Sequence, residues 1–208
     1  MTRPIVFIGD SITDAGRRDD PDGHLGHGYV RLVRDALAAR GDARPIVNTG
    51  ISGDRAIDLH ARWDGDALAH DPELLSVYVG VNDTWRRYDN HDPTPVEQFE
   101  ATYRSMLAEA QDRLTPRMIL VEPFVLPVTA EQERWGAEDL DAKRAAVAEL
   151  AAEFGAAFVP LQPLLLDAAA QNGGGRAGNA ALAADGVHPT PLGSELIAGA
   201  WLGAEATL

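Results

Sequence analysis

The chain has 208 residues, 45% of them hydrophobic and 24% charged, which is the balance of a globular protein with enough length for a sizeable core. A formal charge of −14 weighs against nucleic acid or an anionic membrane as a partner, since both call for a basic surface. The absence of cysteine excludes disulfides, thiolate metal sites and cysteine catalysis.

From the N-terminus, Ile5–Ile8 is an unbroken apolar run that leads straight into Gly9-Asp10-Ser11. It is too short for the core of a signal peptide, and no run approaches the ~20 apolar residues of a membrane helix, so cytoplasmic residence is expected. Four further runs, Ile46–Asn48, Leu75–Val81, Met118–Glu122 and Ala157–Pro160, read as strands. They are continuous rather than alternating, as in a parallel sheet covered on both faces. Between them lie helical faces: Tyr29, Leu32, Val33, Ala36 and Leu37, then Phe99, Tyr103, Met106, Leu107, Ala110 and Leu114. The second of these opens with Thr94-Pro95-Val96-Glu97, read as an N-cap, a first-turn proline and a capping-box glutamate. Leu140, Val147, Leu150 and Phe154 mark a third helix stopped by Gly155, and Leu192, Leu196, Ile197 and Trp201 a last one entered at Thr190-Pro191. This alternation predicts one doubly wound α/β domain over residues 1–208, with no repeat and no linker.

In such sheets ligands bind beyond the carboxyl ends of the strands. The segments found there are Gly9-Asp10-Ser11, "NTGISGD" (48–54) and "GVND" (80–83), joined near the C-terminus by "DGVHP" (185–189). Ser11 needs a base to act as a nucleophile, and His188 is the best placed of the six histidines. Asp185, three residues earlier, can fix its tautomer or can simply cap the loop. Gly53 offers an unshielded backbone N–H, Asn82 a side-chain amide and Ser11 its own N–H, a set suited to a developing oxyanion. Taken alone, Ser11 also reads as an N-cap, and Asp10 and Asp83 as turn acids accepting backbone N–H bonds.

These four blocks, in this order, resemble those of the SGNH (GDSL-type) hydrolases, and the resemblance spans nearly the whole chain. It implies a flavodoxin-like three-layer α/β/α sandwich with a five-stranded, mainly parallel sheet, and serine ester hydrolysis with no metal or other cofactor. By position, Ser11 would be the nucleophile, Asp185 and His188 its partners, and Gly53 and Asn82 oxyanion donors together with Ser11 N–H. The G-x-S-x-G elbow of the other large α/β esterase fold is missing. The connecting stretches "FIGDSITDAGR", "HGYV", "NTGISGDRAIDLHARW" and "GVNDTWRRYD" are similar to the acetylxylan esterases of this superfamily. That likeness implies removal of O-acetyl groups from small carbohydrates such as xylo-oligosaccharides, a small acyl pocket and a polar sugar-binding rim. One departure is Ala184, where that subgroup leads us to expect an aromatic residue before Asp185.

Two rival functions carry discriminating features. A lipase- or thioesterase-type member acting on longer acyl chains needs a long apolar trough, against which the polar "DTWRRYD" speaks. A non-catalytic carbohydrate-binding protein on this scaffold should have lost one of the four blocks. Trp85, Arg86, Arg87 and Tyr88, with Trp135 in the loop after strand four, are candidates for sugar contact or for packing at a sheet edge or subunit contact. The resemblance leaves room for a homo-oligomer. His24 and His27 in "HLGH" lack a carboxylate set that would complete a metal sphere. Gly173-Gly174-Gly175 reads as a mobile segment, because no Walker lysine follows it and Lys143 is the single lysine.

Overall fold

The structure, a computed structural model, describes residues 2–208. Five strands, β1 (Ile5–Gly9), β2 (Ile46–Asn48), β3 (Leu74–Tyr78), β4 (Arg117–Val121) and β5 (Ala157–Val159), form one sheet in the order β2-β1-β3-β4-β5, with every pairing parallel. The helices are α1 (Ser11–Asp14), α2 (Tyr29–Ala39), α3 (Ala56–Ala61), α4 (Trp63–Asp66), α5 (Val81–Asp89) and α6 (Val96–Arg113) in the first half. They continue as α7 (Gln132–Trp135), α8 (Asp141–Glu153), α9 (Leu161–Gln171), α10 (Gly175–Leu182) and α11 (Pro191–Glu205).

The pleat explains the continuous apolar strands. Ile5 and Phe7 of β1 point into a core made with α2, α9 and α11, while Val6 and Ile8 point into the opposite core against α3, α4, α6 and α8. Both faces are thus covered, giving the expected three layers. The chain leaves β1 to form β2 on one side and returns to form β3 on the other. A crevice therefore opens at the carboxyl end of β1, as the topological switch rule requires.

Three local expectations are corrected. Strand three stops at Tyr78, because Gly80, at φ +136°, turns the backbone out of the sheet; Asn82 lies in the first turn of α5 rather than at a strand end. Helix α6 begins at Val96 with the extended Pro95 in the N-cap position and no side-chain cap bond. Thr94 therefore stands one residue too early to cap it, although Glu97 does sit in the first turn. Leu192 is exposed rather than part of the apolar face of α11. The cap of α11 is as expected: Thr190 Oγ1 accepts from Gly193 N at 3.3 Å, with Pro191 in the first turn. Of the triple glycine, Gly173 and Gly174 lie in the turn between α9 and α10, and Gly175 is the first residue of α10.

Trp201 of α11 anchors the larger core. It is fully buried, packs 4.9 Å from the Phe7 ring and donates from Nε1 to Ser76 Oγ at 2.9 Å. Trp201→Ala is expected to cost about 3–5 kcal/mol, the range for deleting a large buried aromatic. Urea denaturation measures this, and a loss below about 1 kcal/mol would contradict the packing described.

Candidate active site

The loop that carries Ser11 is built on β1. Asp10 is fully buried and its Oδ1 accepts from Ile12 N at 3.0 Å, capping α1 and fixing the chain where Ser11 emerges. Across a separation of 177 positions, Ser11 Oγ lies 2.8 Å from His188 Nε2. On the other side of the ring, His188 Nδ1 lies 2.6 Å from Asp185 Oδ2. Asp185 Oδ1 also accepts from the backbone N–H of Val187 at 3.0 Å and of His188 at 2.7 Å, so acid and imidazole share one folded loop. Partial burial raises the Asp185 carboxyl, but the His188 ring and these two N–H groups outweigh it and hold the acid below its usual value. An ionised Asp185 can only accept, which puts the proton on Nδ1 and leaves Nε2 free to accept from the Ser11 hydroxyl.

The segment that carries Gly53 is tied to the same place by polar side chains. Asp14, the last residue of α1, accepts from Ser52 N at 3.2 Å and from Ser52 Oγ at 2.7 Å through Oδ2. Gly53 follows at φ +91°, a conformation that favours glycine, and is exposed with open space at its α-carbon. The next carbonyl, that of Asp54, accepts from Asn82 Nδ2 at 3.1 Å, and Asn82 Oδ1 accepts in turn from Arg86 Nη2 at 3.3 Å. The amide of the buried Asn82 is thereby oriented with its second N–H available. Among the described residues, neither the Ser11 nor the Gly53 N–H makes an intramolecular hydrogen bond.

Arg62 welds the two strand ends together. It donates to Gly9 O at 3.0 Å, Thr49 O at 2.6 Å and Asp54 Oδ2 at 2.7 Å, and pairs with Asp66 at 2.8 Å. Nothing in the sequence patterns singles this residue out, nor Asp14, nor Gln132, which donates to Asp185 O at 2.7 Å. Their residue types are common, and the carbonyls they bind become neighbours only in the folded chain.

The aromatic candidates line the α5 side. Trp85 is half-buried, 6.0 Å from the His188 ring and 5.5 Å from Trp135, with the Arg86 guanidinium 5.6 Å above its face. Tyr88 stacks on Trp135 at 5.3 Å and donates to Glu138 at 2.9 Å, while Arg87 turns outward towards Asp139. Trp135 lies in α7 rather than a loop and is only 1% exposed, so it backs Trp85 and Tyr88 from within. Beside Ser11 and His188 opens a cleft of about 240 Å³ whose wall includes Ile12, Ala15, His27 and Ser194. The exposed Ala184 adds no bulk next to Asp185. Among the described residues, no three His, Asp or Glu side chains are grouped as a metal site; His24 instead approaches Arg17 O at 3.3 Å.

With this fold and these loops at one edge of the sheet, the chain stands among the α/β/α hydrolases. It matches the GDSL-like Lipase/Acylhydrolase family over residues 7–196 and belongs to that family. It is accordingly a carboxylic ester hydrolase. An acetylxylan esterase from Geobacillus stearothermophilus is 36% identical, over 95% of this chain and 91% of its own. The solved structure of a variant of Axe2, an acetyl xylan esterase from that organism, superimposes with a TM-score of 0.85 at 35% identity, covering 97% of this chain and 94% of the other. LAE5, an alpha/beta hydrolase from the metagenome of Lake Arreo in Spain, gives a TM-score of 0.85 at 30% identity, covering 98% and 95%. Among the described residues, no helix is long and apolar enough to cross a membrane.

Two buried acids flank the site without joining it. Burial pushes both Asp10 and Asp83 up to about 7, and Asp10 is raised further by the neighbouring Asp83 and Asp54. Each caps a backbone N–H, Ile12 for Asp10 and Ala56 for Asp83, and each keeps one oxygen without a partner among the described residues. An acid raised on folding carries a proton in the native state that the unfolded chain has already lost. Stability from these groups is therefore greatest below about pH 4 and falls as pH rises towards about 7, by up to about 1.4 kcal/mol per unit per group. Asp83→Asn keeps an acceptor for Ala56 N and is expected to flatten that slope, as urea midpoints at about pH 5 and about pH 7 would reveal. An unchanged slope would mean that Asp83 is ionised in the folded protein.

Proposed function

We propose that residues 1–208 act as one catalytic domain that removes O-acetyl groups from small carbohydrates through a Ser11–His188–Asp185 triad. The observation that carries the reading is the continuous contact from Ser11 Oγ to His188 Nε2 at 2.8 Å and from His188 Nδ1 to Asp185 at 2.6 Å. Both distances lie within hydrogen-bond reach, the geometric requirement for an activated serine.

Ser11 Oγ attacks the acetyl carbonyl carbon while His188 Nε2 takes the hydroxyl proton. Negative charge gathers on the former carbonyl oxygen, facing Ser11 N–H, Gly53 N–H and the free N–H of the Asn82 amide. Removing one such donor typically costs about 3 kcal/mol of barrier. As the tetrahedral adduct collapses, the imidazolium passes its proton to the departing sugar oxygen. Water then attacks the acetyl-enzyme and gives one proton to Nε2; collapse returns that proton to Ser11 and releases acetic acid, which loses its remaining proton to solvent as acetate. Asp185 stays ionised throughout, holding Nδ1–H and stabilising the imidazolium.

The acetyl and carbohydrate parts of the reading draw on the acetylxylan esterase relatives. The Trp85 face and the Arg86 guanidinium supply a stacking surface and polar donors for a sugar ring.

Ser11→Ala is expected to lower acetate release from acetylated xylo-oligosaccharides by at least about 10³-fold with an unchanged circular dichroism spectrum. Nitrophenyl acetate should be preferred sharply over the butyrate and octanoate. Near-normal turnover by Ser11→Ala would refute the nucleophile, and a preference for octanoate would refute the acetyl specificity.

A further inference from the structure

We propose that Gln132 is a positioning residue for the reaction, holding the loop that carries Asp185 and His188 at the distance Ser11 requires; the proposal rests on the triad reading above. Gln132 is the first residue of α7 and is 6% exposed. Its Oε1 accepts from Val128 N at 2.9 Å and Thr129 N at 3.3 Å, and Thr129 Oγ1 accepts from its backbone N at 3.2 Å. Two N–H donors on one atom identify that atom as the oxygen, so the amide nitrogen must face the other way. There it donates to the backbone oxygen of Asp185 at 2.7 Å.

The loop needs such a hold. The side chains of Asp185 and His188 are 49% and 46% exposed, so burial alone does not fix them. Several of the loop's own bonds are local: Gly186 N to Ala183 O, Thr190 N to Leu182 O and the Ala183–Pro189 bridge. From the segment after β4, two donors reach it, Leu126 N to Gly186 O at 2.9 Å and the Gln132 amide. Gly186, at φ +86°, lies flat against both. A β-carbon there would meet Gln132 Oε1 at 2.7 Å and Leu126 O at 2.8 Å. Since Asp185 Oδ1 binds the N–H groups of Val187 and His188, acid and imidazole move as one body, and a shift at Asp185 O is passed to Nε2. Starting from 2.8 Å, a displacement of about 1 Å breaks the contact with Ser11, and such misplacements can cost about 10²-fold in rate.

The test compares wild-type enzyme, Q132M and Q132E on nitrophenyl acetate, with a serine-directed organophosphate label on each. Q132M keeps the length and loses both polar ends. Q132E keeps an oxygen for Val128 and Thr129 and, when ionised, loses only the donor to Asp185. Both are expected to lose at least about tenfold in kcat with KM within about twofold, because the group removed touches no substrate. In Q132M the acid limb of kcat/KM should also move to lower pH, since a misaligned Asp185 stabilises the imidazolium less; a role confined to folding would leave that limb in place. Wild-type kcat and an unmoved acid limb in a folded variant would overturn the proposal, as would failure of both variants to fold. Wild-type protein that takes the label elsewhere than Ser11 would sink the triad reading itself. Labelling at Ser11 with a silent Q132M result would sink only the positioning role.

Discussion

Everything at this site depends on holding one hydroxyl against one imidazole that enters the chain 177 positions later. A parallel sheet meets that demand through its topology. All five strands run the same way, so every strand end opens onto one edge, and the switch in strand order leaves a crevice beside β1. The two partners are nevertheless held by different means. Ser11 follows directly from a central strand whose residues are fully buried, and its position is fixed by the capping bond of Asp10. His188 rides on a loop whose own bonds are local and whose Val187 is buried in the core, so its placement comes from that anchor, from the acid three residues before it and from contacts with the segment after β4.

Around that contact, polar side chains do work usually done by apolar packing. Asp14 holds Ser52, Asp54 O holds Asn82, Arg86 orients the Asn82 amide and Arg62 bridges three backbone or carboxylate oxygens at the ends of β1 and β2. Loops cannot bury their backbone in a core without leaving N–H and C=O groups unpaired, so they need directional partners. A guanidinium offers several charged donors in one rigid fork, which explains an arginine at the junction where three carbonyl or carboxylate groups converge. The same crowding of acids in a chain of net charge −14 has a cost. Asp10 and Asp83 are buried beside the site, and burial pushes both up to about 7, so the penalty of buried charge falls on them only as pH rises towards that value.

The layers and the meeting of the four blocks were legible because they rest on local signals. Continuous apolar strands announce a sheet covered on both sides, and Gly9-Asp10-Ser11, Gly53 and His188 fall at or beside loops, with Asn82 in the first turn of α5 just past β3. Boundaries were less legible where one residue decides them. Gly80 ends β3 early and places Asn82, Trp85, Arg86 and Tyr88 on one helix, an arrangement that apolar Val79 and Val81 conceal. Trp135 illustrates a further limit: its flanking charges read as a loop, yet the ring lies under Trp85 and Tyr88. Gln132 and Arg62 were invisible for a deeper reason. Gln132 binds backbone atoms, and so does Arg62 at the two strand ends; backbone has the same chemistry at every position, so no residue pattern points to those contacts.

The aromatic cluster shows how this rigidity extends to the substrate side. Trp135 fills the interior and fixes the planes of Trp85 and Tyr88, while Glu138 takes the Tyr88 hydroxyl and Asp139 ties Thr84 at 2.7 Å and the buried Lys143 to the same region. Helix α5 is therefore held on its inner side by hydrogen bonds and stacking, and presents Trp85 close to His188. Because Asn82 and Trp85 share this helix, a movement that displaced the indole would also displace the Asn82 amide. Substrate recognition and charge stabilisation, in the proposed function, would therefore be mechanically joined on one short element. In the proposed reaction, the wall that receives the sugar and the donor that receives the developing charge keep a fixed separation, so an ester seated correctly against Trp85 presents its carbonyl oxygen to Asn82 without further reorganisation.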